Sequence, residues 1–261
     1  MTTRTVYLGY DSREDAAWWV AQYSILRRTD PDQVEIFSLG GKVPTILDRP
    51  VERRDGKLWC PISQAPMATE FAISRFCVPF LSSAGQWALF LDSDIVCLAD
   101  IAKLFALADD RYAVMVVKHD HQPVAMTKMD GQAQTCYPRK NWSSVCLWNK
   151  EHPGTKRFTR EMLNTWPGRD LHAFKWLKDE EIGSLSGYWN HLVGVAPSEK
   201  HFDPSHSPGT GVLGILHYTM GGPWLPGWEG GPLDYIWLAE KESYDHATHP
   251  VNHPEAVGSH P

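Results

Sequence analysis

The sequence predicts an α/β fold with a mixed, mostly parallel central sheet flanked by helices. Two observations predict it. The chain opens as strand, helix, strand. Residues 5–10 alternate and are β-rich, and Gly9 and Asp11 mark the end of that strand. Residues 15–28 carry a helical pattern, with Trp18, Trp19, Ile25 and Leu26 apolar and Arg27 and Arg28 at the C-terminal end. Residues 34–39 form a second strand, closed by Gly40 and Gly41. Such an opening implies parallel strands. The second observation is residues 87–91, an unbroken apolar run that reads as a buried strand.

The remaining elements follow in order. Residues 39–66 are rich in Pro, Arg and Asp and read as loop. Ile73, Phe76, Cys77, Phe80 and Leu81 recur at helical spacing and predict an amphipathic helix, kinked where Pro79 frees the carbonyl of Arg75. Residues 101–108 read as a short helix, 113–117 as a strand and 145–148 as another. The polar stretch 119–142 between them is long enough to be a functional loop. Helices are predicted over 155–163, 171–178 and 232–241, with a late strand over 213–218. Residues 1–242 thus form one domain, and 243–261 read as a disordered tail.

Composition narrows the classes of function. The 261 residues are 43% hydrophobic, enough for a proper core, and the net charge of −6 offers no bulk attraction to nucleic acid or an anionic membrane. The five cysteines are odd in number and lack CxxC pairing, which fits a reducing cytoplasm. No signal-peptide pattern opens the chain, and no apolar run is long enough to cross a bilayer. Twelve tryptophans are many; Trp142, Trp224 and Trp228 fall in Gly/Pro/polar loops where an exposed ring can pack on a sugar.

The chemistry concentrates at Asp92-Ser93-Asp94, directly after the apolar run 87–91. Side chains alternate along a strand, so Asp92 and Asp94 share a side. Desolvating two carboxylates together is costly unless a cation compensates. A divalent metal with hard oxygen ligands is the simplest compensator, and a phosphate-bearing substrate is its usual cargo.

Four segments in this order resemble nucleotide-sugar-dependent glycosyltransferases with the GT-A fold, most of all family 8, the glycogenin and lipopolysaccharide galactosyltransferase group. They are residues 5–11; Ile73-Ser-Arg-Phe-Cys-Val-Pro-Phe-Leu81; Phe90-Leu-Asp-Ser-Asp-Ile-Val-Cys-Leu-Ala-Asp100; and Ile215-Leu-His-Tyr218 with Pro223-Trp224. The resemblance spans about residues 5–225.

The resemblance implies a set of roles. Asp92, Asp94 and His217 would bind Mn²⁺ or Mg²⁺, with Mn²⁺ the better match to an imidazole ligand. Gly9, Tyr10, Asp11, Arg75 and Ser93 would face a nucleoside diphosphate sugar, UDP by family default. Tyr10 could stack on the base and Asp11 accept from the ribose or base. Asp179 and Glu181 resemble the acidic pair near the anomeric carbon, with Glu at the second position. Residues 1–118 would hold the donor, and 119–242 would face an acceptor hydroxyl on a glycan, lipid-linked sugar, protein or modified nucleobase. Transfer would retain the anomeric configuration.

Two departures stand out. The family's diphosphate-gripping Lys is missing where this chain has Gly221-Gly222-Pro223-Trp224. The backbone amides of Gly221 and Gly222, or Lys118 or Lys140, are the candidate replacements. The family's Asn-Ala-Gly is replaced by Trp142-Ser143-Ser144, although Asn149 is kept. Two rival functions remain. A nucleotidyltransferase would carry a Gly-rich basic loop after the first strand, whereas Gly9-Tyr-Asp-Ser-Arg-Glu14 has a single Gly. The other is a non-catalytic nucleotide-sugar-binding protein.

Overall fold

The computed structural model describes residues 3–119, 139, 141–195 and 213–248. Its elements are β1 (Arg4–Gly9), α1 (Asp15–Leu26), β2 (Val34–Leu39), β3 (Glu52–Arg54), β4 (Lys57–Cys60), β5 (Ala65–Met67), β6 (Trp87–Leu91), β7 (Ile95–Cys97), α2 (Ala102–Phe105), β8 (Val114–Val117) and β9 (Val145–Asn149). They continue with α3 (Pro153–Lys156), α4 (Arg160–Thr165), α5 (Gly168–His172), β10 (Ile182–Leu185), β11 (His191–Leu192), β12 (Ile215–His217) and α6 (Asp234–Thr248). The central sheet has the order β10-β8-β9-β6-β1-β2. Only β9 runs against its neighbours β6 and β8, so the sheet is mixed and mostly parallel.

The central strands β1, β6, β8 and β9 are buried on both faces, as their apolar runs demand, while the edge strand β2 is partly exposed. Tyr7, Ala88, Phe90, Val114, Val116, Cys146 and Trp148 point into one cluster with Phe76, Phe174 and Trp176. Their strand neighbours Val6, Leu8, Leu89, Leu91, Met115, Val117, Val145 and Leu147 point into the other, with Trp18, Ile25 and Ile101. A small sheet, β11-β12-β7, lies beyond the end of β6. Ser24 ties it to α1, since its hydroxyl accepts from the Cys97 amide at 2.9 Å and donates to the Ala21 carbonyl at 2.7 Å. α6 packs on α1 through Glu240, which takes a bidentate pair from Arg28 at 2.9 and 2.8 Å.

Several elements differ from the sequence prediction. Residues 39–66 are not all loop, because β3, β4 and β5 form a small antiparallel sheet. Its first turn is Asp55-Gly56, both at positive φ, which suits a two-residue hairpin. Residues 74–80 form a 3₁₀ helix instead of an α-helix, with Pro79 inside it. The predicted helix over 171–178 is replaced by α5 and turns, because Phe174 takes φ 47° and turns its ring into the core against Phe76, Trp148 and Trp176. The terminal helix continues through residues 243–248, which the sequence pattern gives to the tail. Cys60, Cys77, Cys97 and Cys146 are buried free thiols. Cys136, Lys140, most of the stretch 119–142 and residues 249–261 lie outside the described residues. Among the described residues no helix is long and apolar enough to cross a membrane.

Candidate metal and nucleotide site

The parallel pairing sets the site's place. Leu8 of β1 is level with Leu91 of β6, so Gly9-Tyr10-Asp11 and Asp92-Ser93-Asp94 emerge side by side from the carboxyl edge of the sheet. Open α/β sheets bind ligands at that edge. Asp92 is anchored by its own amide, which donates to the Ser144 carbonyl at 2.9 Å. β7 turns back against β12, pairing Ile95 with His217, and the Tyr218 amide donates to the Asp94 carbonyl at 2.8 Å. This ladder delivers His217 to the two carboxylates.

The result is a compact donor set. One ligand atom from each of Asp92, Asp94 and His217 lies within 4.8 Å of the others. His217 Nε2 is 3.2 Å from Asp94 Oδ1 and 4.0 Å from Asp92 Oδ2. Burial pushes the Asp92 carboxyl above the usual carboxylate range; Arg75 pulls it back and Asp94 adds to the rise. Two carboxylates and an imidazole this close are a hard and borderline donor set that fits Mn²⁺ or Mg²⁺.

Arg75 differs from its expected place. The helical spacing puts it on the polar side, yet it is buried at 7% exposure. Its Nη1 lies 2.8 Å from Asp92 Oδ1 and donates to the Ser143 carbonyl at 3.0 Å. The guanidinium also lies over the rings of Phe71 and Phe90. Arg75 therefore holds Asp92. Ser143 in turn bonds His172 Nδ1 through its hydroxyl at 2.7 Å.

On the β1 side, Gly9 leaves room for Phe71, whose ring a Cβ would meet at 2.6 Å. Tyr10 bonds Asp15 and lies edge-on to Trp18. The Asp11 carboxylate is engaged within the chain, accepting from the Arg13 amide and guanidinium and from the Glu70 amide. Ser93 is buried between the two aspartates.

Gly221 has φ +123° and packs on Trp228, and its amide donates to the Tyr218 carbonyl at 2.8 Å. A Cβ on Gly222 would sit 2.1 Å from the Trp224 ring. Trp224 itself packs on Tyr218 and Trp237. Lys118 follows β8 at the same edge, its ammonium 5.6 Å from the Trp142 ring centroid.

Glu181 is not brought to this cluster, whereas Asp179 pairs with Arg139 on the side of Trp142 and Lys118. Both precede β10, and the Ala113 amide donates to the Glu181 carbonyl at the start of β8. Glu181 therefore stands at the amino edge, a strand length of about 13 Å from the carboxyl edge. Its carboxylate pairs with Arg157 and caps the Lys178 amide, while Asp179 is exposed.

Sequence reasoning missed Glu14 and Asn190. Glu14, at the N-terminus of α1, is buried and accepts from Trp224 Nε1 at 3.0 Å. Burial, reinforced by the Asp94 charge, lifts its pKa from 4.5 to about 7. Asn190 Oδ1 is 2.9 Å from His217 Nδ1. No local pattern marks either residue, since each acts through a distant partner.

The fold is that of the GT-A glycosyltransferases. The glycosyltransferase GlyE of Streptococcus pneumoniae TIGR4 superposes with a TM-score of 0.58 at 19% identity, over 92% of this chain and 60% of that one. The galactosyltransferase LgtC, solved with donor and acceptor sugar analogues, gives 0.54 at 14% identity over 92% and 95%. The bifunctional glycosyltransferase WbbM gives 0.54 at 13% identity over 92% and 52%. The chain thus spans little more than half the length of GlyE and WbbM. No protein-family model matches it. In sequence it is 42% identical to protein CDI of Arabidopsis thaliana over 240 residues, 92% of this chain and 86% of that protein, and it belongs to that protein's family.

Proposed function

We propose that this chain is a metal-dependent glycosyltransferase that moves a sugar from a nucleoside diphosphate donor to a hydroxyl acceptor. The observation that carries this reading is the convergence of Asp92, Asp94 and His217 at the carboxyl edge of a GT-A sheet. Asp92, Asp94 and His217 would hold the cation, which when bound offsets the charge that develops on the leaving diphosphate. Arg75 fixes the Asp92 carboxylate from behind. Residues 9–11, on the neighbouring strand end, would face the nucleoside. The family 8 resemblance supports UDP as the nucleotide, Mn²⁺ over Mg²⁺, and retention at the anomeric carbon. Glu181 takes no part in this reading, since its carboxylate pairs with Arg157 at the amino edge, while Asp179, whose charge reaches Lys118, stays a candidate beside the sugar.

The test is a donor screen. The protein is incubated with Mn²⁺ and a panel of nucleotide sugars, and release of nucleoside diphosphate is measured with and without EDTA. Metal-dependent release from at least one donor is expected. Donor binding without release would favour a non-catalytic binder, and release of pyrophosphate from a nucleoside triphosphate and sugar phosphate would favour a nucleotidyltransferase.

A further inference from the structure

Behind His217 runs a row of buried polar side chains. Asn190 is fully buried, Ser144 and His217 nearly so. Buried polar atoms must satisfy one another, so the direction of each hydrogen bond can be worked out. The Ser144 hydroxyl donates its single hydrogen to the Asn141 carbonyl at 3.0 Å. Its oxygen must then accept, and Asn190 Nδ2 donates to it at 2.9 Å. That orients the amide, leaving Asn190 Oδ1 toward His217 Nδ1 at 2.9 Å. An amide oxygen only accepts, so His217 Nδ1 carries a hydrogen. Nε2 is then the nitrogen presented to Asp92 and Asp94. Ser144 joins both sides of the cluster, because its carbonyl also accepts the Asp92 amide.

We propose that Asn190, anchored by Ser144, is the positioning residue that commits His217 to bind the cation through Nε2. The inference rests on the cation site of the proposed function. Ligating histidines generally donate their second ring N–H to such a partner, and removing the partner costs about 10–100-fold in metal affinity. Asn190 lies just after a 3₁₀ turn that follows β10, and that turn puts its side chain behind β12.

The experiment measures Mn²⁺ affinity by electron paramagnetic resonance on the full chain, together with long-range ¹⁵N–¹H spectra of metal-free, histidine-labelled protein. Asn190→Leu removes the acceptor and should lower Mn²⁺ affinity about 10–100-fold. Asn190→Asp keeps an acceptor that Ser144 can now donate to, and should preserve both Mn²⁺ affinity and the Nδ1 proton. Ser144→Ala, which frees the amide to rotate, should fall between. Wild-type spectra should show His217 protonated at Nδ1. Wild-type affinity in Asn190→Leu, an equal loss in Asn190→Asp, or an unprotonated Nδ1 in the wild type would each overturn the role of Asn190. Absence of Mn²⁺ binding in the wild type would instead overturn the cation site itself. If Asn190→Leu fails to fold, the Asp and Ala variants carry the test.

Discussion

Glu14 makes the metal-free protein less stable as pH rises, and Glu14→Gln should remove that penalty. In the folded chain its carboxyl is buried and faces the Asp94 charge, and its pKa stands at about 7 against an ordinary 4.5. Between those values the native state holds a proton that the unfolded chain has lost, so stability falls as pH rises from about 4.5 to about 7. The full contribution is present below the unfolded pKa and is gone above the folded one. At about 1.4 kcal/mol per pH unit the difference amounts to about 3 kcal/mol. Gln cannot ionise, and its side-chain oxygen still accepts from Trp224. Urea unfolding in EDTA at pH 5 and pH 8 reads the effect. The stability of Glu14→Gln relative to wild type should improve by about 2.5 kcal/mol between the two conditions, since the unfolded carboxyl is already mostly ionised at pH 5. Parallel pH dependence of variant and wild type would refute the buried-acid argument.

Two further variants test the packing around the site. Gly222→Ala forces a Cβ into the Trp224 ring, and the ring's movement also strains the bond to Glu14. A loss of about 1–3 kcal/mol and a shifted tryptophan emission are expected. Arg28→Ala leaves the buried Glu240 carboxylate without its bidentate partner; Arg27, at 3.6 Å, compensates in part. Calorimetry should show a loss of about 3 kcal/mol, at the low end for a broken buried pair.

The central strands and the aspartate pair were legible because their signals are local. Five apolar residues ending in Asp-Ser-Asp state both the burial and the shared side. His217 was legible only through the order of four motifs, since a histidine at a strand end is usually structural. Arg75 was misplaced because its segment winds as a 3₁₀ helix, which turns by three residues, and the face it presents differs from the α-helical one. Glu181 misled for a different reason. The short strand β10 that follows it was not recognised, so nothing in the sequence showed that Glu181 immediately precedes a strand and stands at its amino end. The hairpin at Asp55-Gly56 carried a readable turn signal, but its strands of three and four residues are too short to show alternation. Glu14 and Asn190 had no signal, because Trp224 and His217 reach them only through tertiary packing.

Mn²⁺ titration in the presence of UDP tests the central claim most directly, comparing wild type with Asp92→Asn and Asp94→Asn. If Asp92, Asp94 and His217 hold the cation that carries the donor's diphosphate, Mn²⁺ and UDP should each tighten the other's binding in the wild type, and that coupling should vanish in both variants. Variants that bind Mn²⁺ and UDP with wild-type affinity and coupling would contradict the account.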